Sequence, residues 1–142
     1  MSYLFDKVKN ANLLSKPVKA GANVKKNEIQ AIDAATGLLV PFDAAVETAT
    51  PGTYGEIYIP VDALDNTLGA DGYIGYTESE RYVNVYAPGT IGVVNMDAVA
   101  QTDIGADVYA AGADSFSKVA LGVEVGKIIN VLSATQAEIM LY

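Results

Sequence analysis

The sequence has 142 residues, 13 of them Gly and 5 Pro, carries a formal net charge of −8, and contains neither Cys nor His. Its length is that of one ordinary domain. The missing Cys and His exclude disulfides, zinc sites built on those ligands, the commonest general base and the thiol nucleophile. The negative charge argues against nonspecific nucleic-acid binding, and no stretch reaches the ~20 apolar residues of a bilayer span. We therefore expect a soluble, unexported protein with no nucleic-acid and no membrane partner.

The charges are distributed unevenly along the chain. Six of the nine basic residues lie within the first 26 positions, where Asp6 is the one acid, so this part carries +5 and the remainder −13. The six are Lys7, Lys9, Lys16, Lys19, Lys25 and Lys26. A molecule charged in this way can orient on a partner. The alternative is that the lysines only solvate an exposed N-terminal segment.

Residues 1–15 mix apolar and basic side chains without sustained alternation. This pattern predicts an N-terminal arm, with Leu4 and Val8 on one side of a short helix. Residues 16–142 are predicted to form a single β domain, which opens with short strands and hairpins that end at Pro41.

The middle of the chain has the weakest pattern. Residues 43–72 are predicted to be a loop or short-helix insertion, beginning with an Ala-rich segment and broken at Pro51-Gly52. One convincing strand, Tyr54–Ile59, lies inside it and ends at Pro60.

The second half of the chain has the clearest strand pattern. Tyr82, Asn84 and Tyr86 alternate with two valines, while Pro88-Gly89 and Gly126 supply turns. The predicted strands are Tyr73–Tyr76, Arg81–Tyr86, Thr90–Met96, Asp107–Ala110, Lys118–Val125, Lys127–Leu132 and Ala137–Tyr142. We therefore predict a mainly β protein, a small β-barrel or sandwich of short strands with an N-terminal arm and at most one or two short helices.

No group of residues has the pattern of a catalytic or metal site. Ser117 and Lys118 are adjacent, and adjacent residues of a strand point to opposite faces. Glu78 and Glu80 would share a face but are interpreted as an acidic rim. The acids of residues 62–71 lack the alternate spacing and closing Glu of an EF-hand. We expect no enzymatic activity, no catalytic residue, no metal and no cofactor.

Tyrosines are concentrated in the middle of the chain, with six of the nine within 33 residues. Tyrosine suits surfaces that are apolar yet need a hydrogen-bonding tip, so such a cluster often marks an interface. The alternatives are that the rings pave an exposed sheet face or stack on sugars or bases. The six are Tyr54, Tyr58, Tyr73, Tyr76, Tyr82 and Tyr86.

Two parts of the sequence carry a family resemblance. Residues 20–41 contain Gly-Ala-x-Val-Lys-Lys and Ala-x-Asp-Ala-Ala-Thr-Gly, and residues 82–142 contain Asp-Ile-Gly-Ala-Asp-Val-Tyr, then a Gly-Ala-Asp turn. A glycine-led strand at Gly126–Ile129 and a terminal strand at Glu138–Tyr142 follow. These elements resemble the head decoration proteins of tailed bacteriophages, also called capsid cement proteins.

The resemblance implies a structural protein of the virion. Such proteins are small β-barrels that bind the outer face of an icosahedral shell, often as trimers, and lock neighbouring capsomers against internal DNA pressure. The implied partners are the major capsid protein and further copies of this chain, most simply in a homotrimer. The implied location is the outer capsid surface, after synthesis in the host cytoplasm.

We expect the basic N-terminal segment to lie on the capsid. Its lysines would orient the molecule and set the association rate, and its apolar side chains would bury the area that holds the complex. The expected contact residues are Tyr3, Leu4, Phe5, Lys7, Lys9, Leu13, Leu14, Lys16 and Lys19. If this segment is a passive tail, the contact must come from the tyrosine-bearing strands. The alternative function is a carbohydrate-binding or fibre-tip β module, and a degenerate hydrolase is the third possibility.

Overall fold

The computed structural model describes residues 5–67, 81–120 and 122–142. The protein is mainly β, with 48% strand and 7% helix, which confirms the predicted fold class. The strands are β1 (Asp6–Lys9), β2 (Leu13–Pro17), β3 (Asn23–Val24), β4 (Gln30–Asp33), β5 (Leu39–Pro41), β6 (Tyr54–Tyr58), β7 (Leu64–Asp65), β8 (Tyr82–Tyr86), β9 (Ile91–Asn95), β10 (Asp107–Ala110), β11 (Phe116–Ser117), β12 (Glu124–Ser133) and β13 (Gln136–Leu141). One α-helix, α1 (Ala44–Ala49), and a 3₁₀ turn at Gln101–Asp103 complete the described part of the chain.

The main sheet has six strands in the order β1-β9-β13-β12-β10-β11. An isolated parallel bridge joins Met96, which follows β9, to Phe116 in β11. Because β9 and β11 meet in this way, the strands from β9 to β11 form a closed ring. Closure removes most of the free edges that an open sheet would expose.

The interior of this ring follows the period of two expected of strands. Val94 lies opposite Ala137, and Ile128 lies opposite Ile139. All four side chains are buried, whereas the next residue along β13, Glu138, points to the other face and is only half-buried. Burial of each large apolar side chain stabilises the fold by roughly 1.5–3 kcal/mol, so this alternation fixes the register.

Three small antiparallel sheets pack beside the ring: β2-β8, β3-β7 and β5-β4-β6. They enclose a second, smaller core, whose buried residues are Val18, Val24, Leu39, Tyr58, Val83 and Val85. The two cores are linked by the segment that carries β1 and β2, since β1 pairs with β9 of the main sheet and β2 pairs with β8.

Residues 5–17 differ from the predicted arm, because they are paired strands and not a free helix. Phe5, at the start of β1, is only 5% exposed and belongs to the main core. Its ring lies on Gly92, where a Cβ would come within 2.5 Å of the ring. It also packs against Tyr86, with the ring centroids 5.3 Å apart. The N-terminal segment is therefore part of the folded body from Phe5 onwards.

The middle of the chain is also more integrated than predicted. Helix α1 is the short helix expected there, and its N-cap Asp43 accepts a hydrogen bond from the Ala45 N–H. The buried carboxylate of Glu47 accepts hydrogen bonds from the backbone N–H groups of Gly52 and Tyr54. Strands β6 and β7 pair with β4 and β3, so this part of the chain contributes strands to two of the sheets and is not an inserted loop.

The later strands match their predicted positions to within one residue in four cases. β10 has the predicted bounds, β8 and β9 are slightly shorter than predicted, and β13 has the predicted length but begins and ends one residue earlier. The predicted strand Tyr73–Tyr76 lies outside the described residues. The prediction for Lys118–Val125 is wrong because Gly122 has a φ of +99°, which interrupts the extended run, and β12 begins only at Glu124.

The predicted turn at Gly126 is also wrong, because β12 runs through this residue. Gly126 is buried and pairs with Leu141 of β13. A Cβ at this position would collide with the backbone carbonyl oxygen of Met140. The glycine is thus required by the close approach of two strands.

We expect Gly126→Ala to destabilise the fold by at least ~1–3 kcal/mol, because the added methyl group must displace backbone. Gly55→Ala is the matched control, since its Cβ would meet Ile32 at an ordinary contact distance of 3.8 Å. Urea denaturation of both variants measures the difference. Equal stability of the two variants would contradict the close approach of β12 and β13.

We also expect Phe5→Ala to lower the free energy of unfolding by ~3–5 kcal/mol, the usual cost of emptying a buried aromatic site. Leu13→Ala, at a residue that is 50% exposed, serves as the control and should cost much less. A Phe5→Ala variant as stable as the wild-type protein would show that residues 5–9 are a passive tail after all.

Candidate interaction surface

The N-terminal segment and the tyrosine-bearing strand form one antiparallel ribbon. Leu13 lies opposite Tyr86, Ser15 opposite Asn84, and Pro17 opposite Tyr82. Residues directly opposite in such a pair share a face of the sheet. The sequence predicts the N-terminal segment and the tyrosine-bearing strands as alternative contact surfaces. The structure pairs strands of the two in one sheet.

The outer face of the ribbon, which we call the ribbon face, is formed by the side chains of Leu13, Ser15, Tyr82 and Asn84. Leu13 is 50% and Tyr82 57% exposed, and Ser15 and Asn84 are exposed as well. The alternating residues of β8, Val83 and Val85, point inward and are buried. This alternation holds the ribbon against the smaller core and presents the ribbon face to solvent.

A polar network fixes the centre of the ribbon face. The Ser15 hydroxyl donates a hydrogen bond to Oδ1 of Asn84 at 3.1 Å. Nδ2 of Asn84 in turn donates to Oδ2 of Asp62 at 3.2 Å. On this face Asn84 lies between Tyr82 and Tyr86 of its own strand, and Leu13 lies diagonally across from it on β2. Polar groups held among exposed apolar side chains are typical of protein-binding surfaces.

The structure brings together only some of the predicted contact residues. Leu13 lies on the ribbon face, and Leu14 is exposed on the opposite side of the same strand. Lys16 folds over the ring of Tyr58, with its Nζ 4.9 Å from the ring centroid. Phe5 is buried in the core, which contradicts its assignment to a contact surface. Tyr3 and Leu4 lie outside the described residues.

The remaining predicted lysines are partly neutralised within the molecule. Nζ of Lys9 lies 3.1 Å from Oε2 of Glu138, and Nζ of Lys19 lies 3.1 Å from Oδ2 of Asp33. Hydrogen bonding and charge attraction from Lys19 hold the pKa of Asp33 below its usual value. Lys7 is exposed on β1. The basic character of the N-terminal segment is thus weaker than its formal charge suggests.

The described tyrosines of the predicted cluster do not form one surface. Tyr54 packs on Phe42 at 5.2 Å between centroids, Tyr58 is buried, and Tyr86 packs on Phe5. Burial raises the pKa of the Tyr54 and Tyr86 hydroxyls. Tyr82 is the exposed member among the four described, while Tyr73 and Tyr76 lie outside the described residues.

Two tyrosines and two acids line a cavity of about 270 Å³ at another place on the surface. The hydroxyl of Tyr58 donates to Glu56, and the hydroxyl of Tyr142 donates to Asp107 near the cavity. The hydrogen bond to Asp107 raises the pKa of Tyr142 to about 12. Burial and Glu56 likewise raise the pKa of Tyr58. Both phenols therefore stay neutral at neutral pH and serve as hydrogen-bond donors.

Sequence reasoning missed Ser15, Asn84 and Asp62 as members of the surface. Ser15 and Asn84 are 69 residues apart in the chain, and Asn84 and Asp62 are 22 apart. The alternation around Asn84 was visible in the sequence and indicated an outward side chain. The partner of Asn84 on β2, Ser15, was not predictable because the sequence pattern of residues 1–15 predicts an unpaired arm.

Comparisons with known proteins found no match: the sequence matches no family profile and no curated protein. Among the described residues, no helix has the length and apolar character needed to cross a membrane. The same residues contain no group of three or more acidic side chains placed to hold a metal ion.

Alkaline pH should weaken the fold partly through Tyr142. An unfolded tyrosine has a pKa near ~10, and the folded value is about 12. The stabilisation by the neutral hydroxyl is therefore complete below pH ~10 and is lost as the pH rises towards 12. We expect Tyr142→Phe to lose less unfolding free energy than the wild-type protein between these pH values. Parallel pH profiles of the two proteins in urea denaturation would contradict the Tyr142–Asp107 hydrogen bond.

Proposed function

We propose that the protein is a structural virion component that binds the outer surface of a tailed-phage capsid. In this proposal it is made in the host cytoplasm and stabilises the shell by bridging neighbouring major capsid subunits, without enzymatic activity. The family resemblance in residues 20–41 and 82–142 supports it. The observation that carries the proposal is the ribbon face, an exposed patch of apolar, aromatic and hydrogen-bonding side chains on a rigid strand pair.

The ribbon face has the composition of a protein contact. Leu13 and Tyr82 supply apolar area, and burial of such side chains contributes roughly 1.5–3 kcal/mol each before ordering costs. Because both residues lie on paired strands, little conformational entropy is lost on docking. Tyrosine is also enriched among the residues that dominate binding energy at interfaces. The proposed contact surface is therefore the ribbon face, in place of the flexible arm that the sequence predicts.

The lysines have a secondary role in this proposal. Exposed ion pairs contribute only ~0.2–1 kcal/mol each, and Lys9 and Lys19 already have partners within the molecule. Lys7 and Lys16 remain to attract an acidic shell surface. Their effect should fall mainly on the association rate and on its salt dependence.

Bridging requires more than one contact per decorating unit. A trimer presents three ribbon faces, and simultaneous engagement raises the overall affinity well above that of one face. The homotrimer implied by the resemblance therefore fits the proposed role, because each copy can hold a different major capsid subunit.

A carbohydrate-binding or fibre-tip role is the second candidate. It is favoured by the cavity lined by Tyr58, Tyr142, Glu56 and Glu124, since aromatic rings and carboxylates are common in sugar sites. A ligand that binds the folded state raises the melting temperature. Melting scans with a panel of neutral sugars would reveal this role, whereas a decoration protein should show no shift.

The main test is binding to undecorated, expanded shells of the phage that encodes the chain. The wild-type protein should co-sediment with the shells and appear on their outer face by electron microscopy. The variant Leu13→Ala with Tyr82→Ala should bind at least ~10-fold more weakly, because it removes about 1.4 kcal/mol or more of contact energy.

The matched control is Ile104→Ala with Leu132→Ala, which removes two apolar side chains that are 48% and 47% exposed elsewhere on the surface. This control should bind shells like the wild-type protein. Failure of the wild-type protein to bind any such shell would overturn the proposed function. Equal weakening by both double variants would show that the ribbon face is not the contact.

A further inference from the structure

At Leu13–Ser15, no strand of the described residues pairs with the outer edge of β2, and the next bridge along the chain joins Val18 to Leu39. The Ala87 N–H donates to the Asn12 carbonyl and the Val18 N–H donates to the Arg81 carbonyl, so the even-numbered residues of β2 direct their backbone groups towards β8. The backbone N–H and C=O groups of Leu13 and Ser15 then point the other way. Within residues 5–67, 81–120 and 122–142, no hydrogen bond reaches them.

The neighbouring strand β1 has a protected edge, and the contrast between the two strands is informative. In β1 the register shifts between Asp6 and Lys9, and Lys7 has a φ of +48°. Bulges and charged side chains of this kind prevent unwanted strand pairing. In β2, Pro17 protects the C-terminal end of the edge, and the part formed by Leu13, Leu14 and Ser15 has neither a bulge nor a charged side chain. An exposed apolar edge without protection either aggregates or serves a partner strand.

Charge indicates what kind of strand would pair there. Residues 5–19 contain four lysines and one acid. Lys9 and Lys19 are already paired with Glu138 and Asp33, so Lys7 and Lys16 are the cations of this segment that a partner would meet. A second copy that paired its own β2 with this edge would add the same cations and not their complement. An extended segment with acidic side chains is the complementary partner.

We propose that the open edge of β2 takes up an extended, acidic segment of the capsid subunit as an added antiparallel or parallel strand. This inference rests on the proposed function and specifies how the ribbon makes its contact. The backbone groups of Leu13 and Ser15 bind the added strand, and Leu13 and Leu14 cover it from the two faces of the ribbon. Lys16, on the Leu14 side, lies beside its acidic side chains.

The test removes one outward N–H without disturbing the bonds to β8. Ser15→Pro deletes the outward donor and places a ring where the added strand would lie. Pro17 occupies the next outward-facing position of β2, so the strand already contains a proline at a position of this kind. Ser15→Ala is the matched control, because it loses the hydroxyl bond to Asn84 but keeps the backbone N–H. Circular dichroism and melting temperature establish that both variants are folded.

We expect Ser15→Pro to weaken binding to undecorated shells at least ~10-fold relative to Ser15→Ala. Binding of the control should weaken further as salt is raised, as an acidic partner requires. If the wild-type protein binds shells and the two Ser15 variants bind them equally well, the edge inference fails while the proposed function stands. If the wild-type protein does not bind shells, the proposed function itself fails.

Amide hydrogen exchange of the wild-type protein provides a second readout that needs no variant. The outward amides of Leu13 and Ser15 should exchange quickly in the free protein and slowly on shells, whereas the Leu14 amide, which is directed towards β8, and the β12–β13 turn at residues 133–136 should not change. Protection of the Leu13 and Ser15 amides already in the free protein would overturn the inference. So would self-association that Ser15→Pro abolishes while shell binding persists, because the partner would then be a second copy.

Discussion

The antiparallel pairing of residues 5–17 with β8 and β9 links the main sheet to the smaller core. It begins with Phe5 against Gly92 in the main core and continues through β1 on β9 and β2 on β8. At its far end, Val18 bridges to Leu39 in the smaller core. One continuous pair of segments thus spans both cores. It also determines that Leu13 and Tyr82 emerge on the same face of the ribbon, at its two ends.

The C-terminal half of the fold was predictable because its local signals agree with its tertiary structure. Strands β8, β9, β10 and β13 alternate inward and outward side chains, and turn residues such as Gly89, with a φ of +89°, separate them. The N-terminal strands were not predictable in this way. Lys7 and Asn10 adopt left-handed backbone conformations, which shift the register and break the alternation on which strand prediction depends.

Gly126 shows a different reason for failure. A lone glycine between apolar runs has the same sequence signature in a turn and in a strand that closely approaches another backbone. What distinguishes the two is the position of Met140, and that contact is set by the pairing of β12 with β13. The local sequence contains no information about this distance, so the turn was the natural but wrong interpretation.

The candidate surface was predictable in its residue types and not in its geometry. Leu13, Leu14 and Lys16 were expected to meet a partner because they are apolar or basic near one end of the chain. The same reasoning included Phe5, which is buried because Gly92, 87 positions later, leaves space for its ring. Exposure depends on such distant partners, so composition alone cannot separate contact residues from core residues.

The two strands of the N-terminal segment, β1 and β2, differ in how their free edges are protected. β1 covers the free edge of β9 and is itself protected by its bulge and charges, so it ends the main sheet. β2 carries a proline at its C-terminal end, Pro17, but has no such protection at Leu13 and Ser15, although a lysine or proline at either position would supply it at little cost to the core. In the proposed strand addition, this edge is where the partner strand binds, and Leu13 and Leu14 contribute to the contact together with Tyr82 at the other end of the ribbon.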